Sequence, residues 1–267
     1  MSVYAKKSLG QNFLNNAHYQ EKIIKAILSV NEKPLILEIG PGRGAITQHL
    51  VPASEKFWAV EKDKELGAAL AEKYSAVDHV KICIDDFLKV DLGKLFETRS
   101  PGQKIIAVGN LPYNVGSQIL IKLLPLNDLF SHLFLMFQKE VAERCVAKAG
   151  TRDFGVLSAW VQLYSKASLL FKLPPNAFSP APKVDSAFVS FELAPRYQAE
   201  QNRVIIELIK KAFQTRRKML GTSLKAWRKL DPAWDQEFEG LWKKRPEELS
   251  LEQLASLALG YGGGKSK

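Results

Sequence analysis

The chain has 267 residues, room for one large domain and a small one, and its 46% hydrophobic and 25% charged content is that of an ordinary folded protein. There is no run of about 18 apolar residues to suggest a membrane span, and the basic start MSVYAKKSLGQNF has no apolar core like that of a signal peptide, so a cytoplasmic location is expected. Cys83 and Cys145 are too far apart in sequence to suggest a disulfide framework, His18, His49, His79 and His132 are too scattered to suggest a metal site, and the net charge of +10 favours a polyanionic partner without identifying it.

The first 18 residues read as an extended arm. A helix follows over Tyr19–Ser29, where Ile23, Ile24 and Ile27 recur at helical spacing. Leu35-Ile-Leu-Glu-Ile39 is almost continuously apolar, as in a strand buried on both faces of a parallel sheet. It runs into Gly40-Pro-Gly-Arg-Gly44 and a short helical segment, Ala45–Leu50. Strand and helix signals then alternate. Lys56–Val60, Val80–Ile84, Lys104–Val108 and Leu133–Phe137 read as strands; Lys64–Glu72, 116–124 and Lys139–Ala147 read as helices. Val156–Tyr164 fits either type, and its Ala, Leu and Gln content favours helix. Ser168–Phe171 and Ala187–Leu193 read as late strands around a proline-rich turn region, Pro174–Pro182. The alternation predicts an α/β sheet of mostly parallel strands with right-handed crossovers.

From about residue 196 the pattern becomes helical. Val204, Ile205, Leu208, Ile209 and Ala212 form a stripe, which Leu220, Leu224 and Leu230 continue. Ser250 can cap a helix over Leu251–Leu259, with Gln253 as its capping-box partner and Gly260 as a stop. Ten Lys or Arg against two acids, Glu200 and Glu207, give residues 196–229 a charge of +8, either a solvated helix face or a nucleic-acid footprint. The expected organisation is a domain over 1–195, a helical domain over 196–260, and a disordered tail over 261–267.

In open α/β sheets ligands bind beyond the carboxyl ends of the strands. Three segments place suitable groups there. The turn after the first strand carries Gly40 and Gly42, which let backbone approach a ligand, although a purely structural turn has the same glycines. It departs from the dinucleotide fingerprint because Gly44 comes one place early and position 45 is Ala. Glu61 ends the next strand, 19 residues after Gly42, where a carboxylate can accept ribose hydroxyls. Asp86, with Asp85 as competitor, can accept the amino group of an adenine ring, and Phe87 can touch the purine. Ribose recognition suits both NAD and S-adenosylmethionine.

Asn110-Leu-Pro-Tyr113 separates the two. An Asn/Asp-Pro-Pro-Tyr type of tetrapeptide at this point is the signature of amino methyltransferases, and NLPY is a variant of it. The N6 lone pair of adenine is delocalised into the ring. The Asn110 side-chain oxygen and the backbone carbonyl of Leu111 or Pro112 can each accept one N6 hydrogen, localising that lone pair and favouring the positive charge that develops on nitrogen. Tyr113 offers a face for stacking, worth roughly 1–3 kcal/mol per base. Phe178 is the expected second wall for the base, a core aromatic being the alternative, and Lys183 is a candidate phosphate contact. A base in duplex RNA must leave its stack to reach such a site.

With Gln11-Asn-Phe-Leu14, Glu38-Ile-Gly-Pro-Gly42, Glu61, Asp86, Asn110-Leu-Pro-Tyr113, Phe178-Ser-Pro-Ala-Pro-Lys-Val-Asp-Ser186 and Thr215-Arg-Arg-Lys-Met-Leu220, the chain resembles the small-subunit ribosomal RNA adenine dimethyltransferases to about residue 260. The resemblance implies a seven-stranded, Rossmann-like class I methyltransferase sheet with a small all-helical C-terminal domain. It implies S-adenosyl-L-methionine as cofactor, S-adenosyl-L-homocysteine as product, and no metal. Asn12 and Leu14 would close over the cofactor, and Gly40, Glu61, Asp86 and Asn110 would line its site beside Gly42. The family places two methyl groups on each of two neighbouring adenines in a hairpin near the 3′ end of small-subunit RNA. That implies a pre-30S particle as partner, a monomeric enzyme, and Arg216, Arg217 and Lys218 on the RNA side.

Two stretches depart from the family pattern. Asn114-Val-Gly116 replaces Asn-Ile-Ser, and Gly221-Thr222 replaces a polar or basic pair, which puts local helix capping or an RNA contact in question. The competing readings are an adenine methyltransferase of large-subunit RNA, a non-catalytic ribosome-assembly or transcription factor, and a nicotinamide-dependent dehydrogenase. DNA remains open on chemistry alone, since the adenine amine is the same in either polymer.

Overall fold

A computed structural model describes residues 6, 10–215 and 217–261. The strands are β1 (Phe13–Leu14), β2 (Leu35–Ile39), β3 (Lys56–Glu61), β4 (Val80–Ile84), β5 (Ile105–Asn110), β6 (Phe130–Gln138), β7 (Ser165–Leu173), β8 (Phe178–Ser179) and β9 (Ser186–Leu193). Between β1 and β6 lie α1 (Ala17–Leu28), α2 (Thr47–Leu50), α3 (Lys64–Lys73), α4 (Leu92–Leu95) and α5 (Gly116–Leu123); α6 (Lys139–Cys145) and α7 (Val156–Tyr164) precede β7. After β9 come α8 (Ala199–Phe213), α9 (Leu220–Ser223), α10 (Lys225–Leu230), α11 (Pro232–Glu237) and α12 (Leu251–Gly260).

The chain divides into two compact units. One is the described part up to Ala142 together with Ala167–Leu193; the other is Glu143–Lys166 together with the described residues from Ala194. The boundary expected after 195 therefore lies beside an observed crossing, but a second excursion, over 143–166, has no counterpart in the expected organisation.

The first unit is built on a seven-stranded sheet in the order β4-β3-β2-β5-β6-β9-β7. The five strands from β4 to β6 run parallel, and β9 is antiparallel to β6. Every residue of β2 is buried, which explains its unbroken apolar run. At the opposite edge β7 alternates exposed and half-buried positions, so its apolar signal is diluted. Ile23 and Ile27 of α1 are fully buried in a core with Ile36, Phe57, Val108 and Phe188. Helix starts follow local chemistry: the Asn16 side chain accepts the Tyr19 N–H at 3.3 Å, and Asp63 caps α3 by accepting from Glu65 at 3.0 Å and Leu66 at 3.4 Å.

In the second unit α8 buries Ile205, Leu208, Ile209, Ala212 and Phe213 and packs against α7 and α12. Val204 and Leu230, expected in the apolar stripe, are instead 39% and 69% exposed. The Ser250–Gln253 capping box forms at the start of α12. Gly260 is that helix's last residue rather than a stop beyond it: a Cβ there would lie 3.0 Å from the Phe238 ring, so its small size serves packing. The Gly221 departure has a local cause as well. Its N–H donates to the Trp242 carbonyl at 3.0 Å, and an added Cβ would stand 2.9 Å from the Trp242 Cβ. Among the described residues no helix is long and apolar enough to cross a membrane. Of the expected tail, 262–267 lies outside the described residues.

Candidate active site

The sheet order sets the carboxyl ends of β4, β3, β2 and β5 side by side, with Ile39 opposite both Val60 and Gly109, and Glu61 opposite Ile84. Between β2 and β5 the strand order reverses, the switch point at which such sheets open a crevice. A cavity there is lined by the glycine turn, Glu61, Asp85–Phe87, the 110–113 tetrapeptide and residues 10–15 of the arm.

The glycine turn is left-handed at Gly40 (φ 68°) and Gly42 (φ 58°), a conformation that side chains rarely adopt. A Cβ on Gly42 would press within 3.1 Å of the Phe13 ring, while one on Gly40 would meet nothing within 4 Å. The backbone at Gly40 thus faces open space that a ligand can fill.

Glu61 is only 6% exposed. Its two oxygens accept the N–H groups of Gly42 (2.9 Å) and Asp63 (2.8 Å), which fixes the carboxylate plane and leaves each oxygen a further lone pair. Burial raises its pKa, and those two bonds partly oppose the shift. Asp86 has the opposite bias: an ion pair with Lys62 at 2.9 Å holds its carboxyl below the usual range. Its other oxygen accepts the Leu88 N–H at 3.0 Å. Asp85 accepts the Asp86 N–H at 2.7 Å and also lines the cavity, so both candidate carboxylates are present. Glu38 is buried at the same end of the sheet, takes a hydrogen bond from the Thr47 hydroxyl at 2.6 Å, and is pushed up by burial to about 7.

At the end of β5 the Asn110 side-chain NH₂ donates to the Asn12 carbonyl at 2.9 Å. That bond turns the amide so that Oδ1 is the atom left to accept a hydrogen from a ligand. The two carbonyls named beside it separate. The Pro112 oxygen accepts from Val115 (3.1 Å) and Gly116 (3.0 Å) as α5 begins, which leaves the Leu111 oxygen as the second candidate acceptor. The Tyr113 hydroxyl bonds the fully buried Ser186 hydroxyl at 2.6 Å, fixing the ring; burial raises the phenol's pKa.

The arm is tied down by Asp63. Lys6 Nζ donates to one oxygen at 3.0 Å and Gln11 Nε2 to the other at 3.0 Å. Burial alone would raise the Asp63 carboxyl, but these bonds and the two from the start of α3 outweigh it and hold it low.

Asn12, Leu14, Gly40, Gly42, Glu61, Asp86, Asn110, Leu111, Pro112 and Tyr113 all line the cavity. Phe178 does not. It is 3% exposed and packs in the core with Leu14, Leu173 and Ala177, which overturns the expected place beside the base in favour of the core aromatic. The cause is the short ladder of β1 with β8, which pairs Leu14 with Phe178; alternation along β8 then turns Ser179 to the cavity. Lys183 is exposed on the loop before β9. Arg217 and Lys218 are exposed in the second unit, and Arg216 lies outside the described residues. Sequence reasoning passed over Lys62, Asp63, Ser186 and the carbonyl of Asn12 as partners of site groups. Asp63 had a local signal, an acid at a helix start two residues after Glu61; the others depend on contacts distant in sequence. Among the described residues no group of three His, Cys, Asp or Glu is placed to hold a metal ion.

A family model described as ribosomal RNA adenine dimethylase matches residues 3–236. The ribosomal RNA small subunit methyltransferase A of Alkaliphilus oremlandii is 40% identical over 220 residues, 82% of this chain and 76% of that protein. The protein of the same name from Maridesulfovibrio salexigens is 38% identical over 256 residues, 95% of this chain and 94% of that protein. Among solved structures, a dimethyladenosine transferase from Plasmodium falciparum superposes with a TM-score of 0.77 at 23% identity, covering 94% of this chain and 97% of that one. The 23S rRNA methyltransferase ErmE does so with a TM-score of 0.66 at 21% identity, covering 92% and 99%. At those identities the two structures speak for the fold, a class I methyltransferase sheet with a helical C-terminal region.

Proposed function

The chain belongs to the ribosomal RNA adenine dimethylase family, and from that premise we propose that it dimethylates N6 of two adjacent adenines in the 3′-terminal hairpin of small-subunit ribosomal RNA, using S-adenosylmethionine. The same reading makes it a monomer acting in the cytoplasm on a pre-30S particle during ribosome biogenesis, with S-adenosyl-L-homocysteine as product.

The donor set fits that cofactor. The open space at Gly40 admits a ligand against backbone, the oriented Glu61 carboxylate can accept two ribose hydroxyls, and Asp86 beside Phe87 can take an adenine amine. Asn12 and Leu14, on the tethered arm, border the same space. The cofactor supplies a methyl group made electrophilic by a sulfonium, so the protein needs neither a metal nor a covalent nucleophile.

The protein's own task is to prepare the amine. In the first transfer Asn110 Oδ1 and the Leu111 carbonyl accept the two N6 hydrogens, and in the second one of them accepts the hydrogen that remains, which localises the nitrogen lone pair and stabilises the charge it acquires. Tyr113, braced by Ser186, stacks on the base and limits its rotation. Holding both partners in one crevice supplies much of the rate by orientation alone. After each transfer the cationic nitrogen releases its proton to solvent water; the neutral acceptors lower the cost of the cation without having to become bases themselves. The exposed Lys183, Arg217 and Lys218 are the proposed phosphate contacts, with Arg216 directly before Arg217 in sequence.

The observation that carries this reading is the bond from Asn110 Nδ2 to the Asn12 carbonyl, because it commits the nitrogen and presents the oxygen. Labelled methyl transfer to isolated 30S and 50S particles tests it. Incorporation into 30S alone is expected. Incorporation only into 50S would move the protein to the large-subunit methyltransferases, and binding to 30S without incorporation would make it an assembly factor.

A further inference from the structure

Lys122, one residue before the end of α5, has no part in the reaction above, yet its ammonium group organises the loop that carries Asp86. Nζ donates to the carbonyls of Phe87 (2.8 Å), Leu88 (3.1 Å) and Val90 (3.4 Å) and stands 5.1 Å from the centre of the Phe87 ring. An ammonium has three N–H groups, so its donor capacity is committed to this loop. The loop's own bonds explain the need. The Asp86 carbonyl accepts from Lys89 (2.7 Å) and Val90 (3.1 Å), and the Asp86 carboxylate accepts from Leu88 (3.0 Å). The N–H groups of 88, 89 and 90 are thereby satisfied within the turn, while the carbonyls of 87, 88 and 90 accept from the Lys122 ammonium, whose charge offsets their partial charge.

Lys122 is half-buried and lies outside the cavity lining, whereas Asp86 and Phe87 both border the cavity. Burial disfavours the Lys122 charge and the Asp86 carboxylate favours it. Lys62 pairs with the Asp86 side chain, so the two lysines act on different parts of one turn, Lys62 on the carboxylate and Lys122 on the backbone.

We infer that Lys122 is a positioning residue for the adenine end of the cofactor site, holding Asp86 and Phe87 from behind at the spacing a purine requires. The inference rests on the reading that Asp86 and Phe87 receive the adenine ring. A half-buried lysine whose three donors meet three carbonyls of a single turn has that turn as its object.

Lys122→Met keeps the length of the stem and removes the donors; Lys122→Arg keeps charge and donors. Both are compared with Asp86→Ala in calorimetric binding of S-adenosylhomocysteine and of 5′-methylthioadenosine, which carries the adenine end without the amino-acid end. Lys122→Met should weaken both ligands roughly tenfold, the effect of misaligning one hydrogen bond to the ring, and Lys122→Arg should recover most of the loss. The KM for cofactor should rise by the same factor, and the KM for RNA should stay at the wild-type value. If Asp86→Ala weakens the ligands and Lys122→Met does not, the role of Lys122 is overturned while the adenine assignment stands. If neither variant changes binding, the adenine end lies elsewhere and both fall. A Lys122→Met variant that loses RNA and cofactor affinity alike, in step with a lower melting temperature and without rescue by arginine, would make Lys122 a general stability element and overturn the inference.

Discussion

Asn110→Ala removes an acceptor and a donor at once, and their consequences fall on different measurements. Loss of Oδ1 takes away one of two oxygens that meet the amine as it becomes cationic. By analogy with single oxyanion-hole donors, that is worth about 10²–10³ in kcat, or roughly 3–4 kcal/mol. Loss of Nδ2 breaks the 2.9 Å bond to the Asn12 carbonyl. One neutral hydrogen bond contributes about 1 kcal/mol, so cofactor affinity should fall by about fivefold as the arm loosens. Asn110→Asp separates the two effects. It retains an acceptor but sets an anionic oxygen against the Asn12 carbonyl, so it should disturb the arm more than alanine does and weaken cofactor binding further. Single-turnover transfer of labelled methyl to under-methylated 30S particles reads the first effect, and calorimetry with S-adenosylhomocysteine reads the second. Near-normal single-turnover rates in Asn110→Ala would refute the role of Oδ1. Undisturbed cofactor binding in Asn110→Asp would refute the link to the arm.

Glu38 binds its proton more tightly in the folded state, at about 7 against an ordinary 4.5, so its stabilising contribution is present below about 4.5 and lost as pH rises through about 7. Glu38→Gln should remove up to about 3 kcal/mol of that pH dependence across the window, read from melting curves; an unchanged profile would contradict the burial argument. Replacing Arg217 and Lys218 together by glutamine should weaken RNA binding and shrink its logarithmic salt slope by about 0.7–0.9 for each phosphate that is no longer neutralised. A constant slope would count against a phosphate role at both positions. Gly221→Ala would force a Cβ to within 2.9 Å of the Trp242 Cβ and 3.1 Å of its carbonyl, clashes that a flexible side chain cannot relieve, so a destabilisation of about 1–3 kcal/mol is expected. An unaltered melting temperature would show that the second unit yields there at no cost.

The inner parallel strands β2, β3 and β5 are legible in the sequence because burial on both faces leaves an almost continuously apolar run. The run over Val80–Ile84 and the helix over Val156–Tyr164 coincide with β4 and α7. Strands interrupted by polar or charged residues are under-read: β6 begins three residues earlier than its apolar run and β7 extends past Ser168–Phe171 at both ends, because His132, Lys166 and Lys172 sit within them. The two-residue ladder of β1 with β8 left no periodic signal, and it decided the fate of Phe178. Nor did sequence mark Glu143–Lys166 for the second unit, since α7 is as apolar as a helix flanking the sheet would be. At the site, groups at strand ends could be named from sequence, because topology alone gathers them. The partners that aim those groups could not. The Asn12 carbonyl is 98 residues from Asn110, and Ser186 is 73 from Tyr113. Choosing between the carbonyls of Leu111 and Pro112 required knowing where α5 starts.

Mass mapping of methylated adenines in small-subunit RNA, after incubation of under-methylated 30S particles with the protein and with Asn110→Ala, tests the proposed chemistry most directly. Two neighbouring N6,N6-dimethyladenines in the 3′-terminal hairpin with the wild type, and none with the variant, are expected. Methyl groups at any other nucleotide, or equal yields from both proteins, would contradict the account.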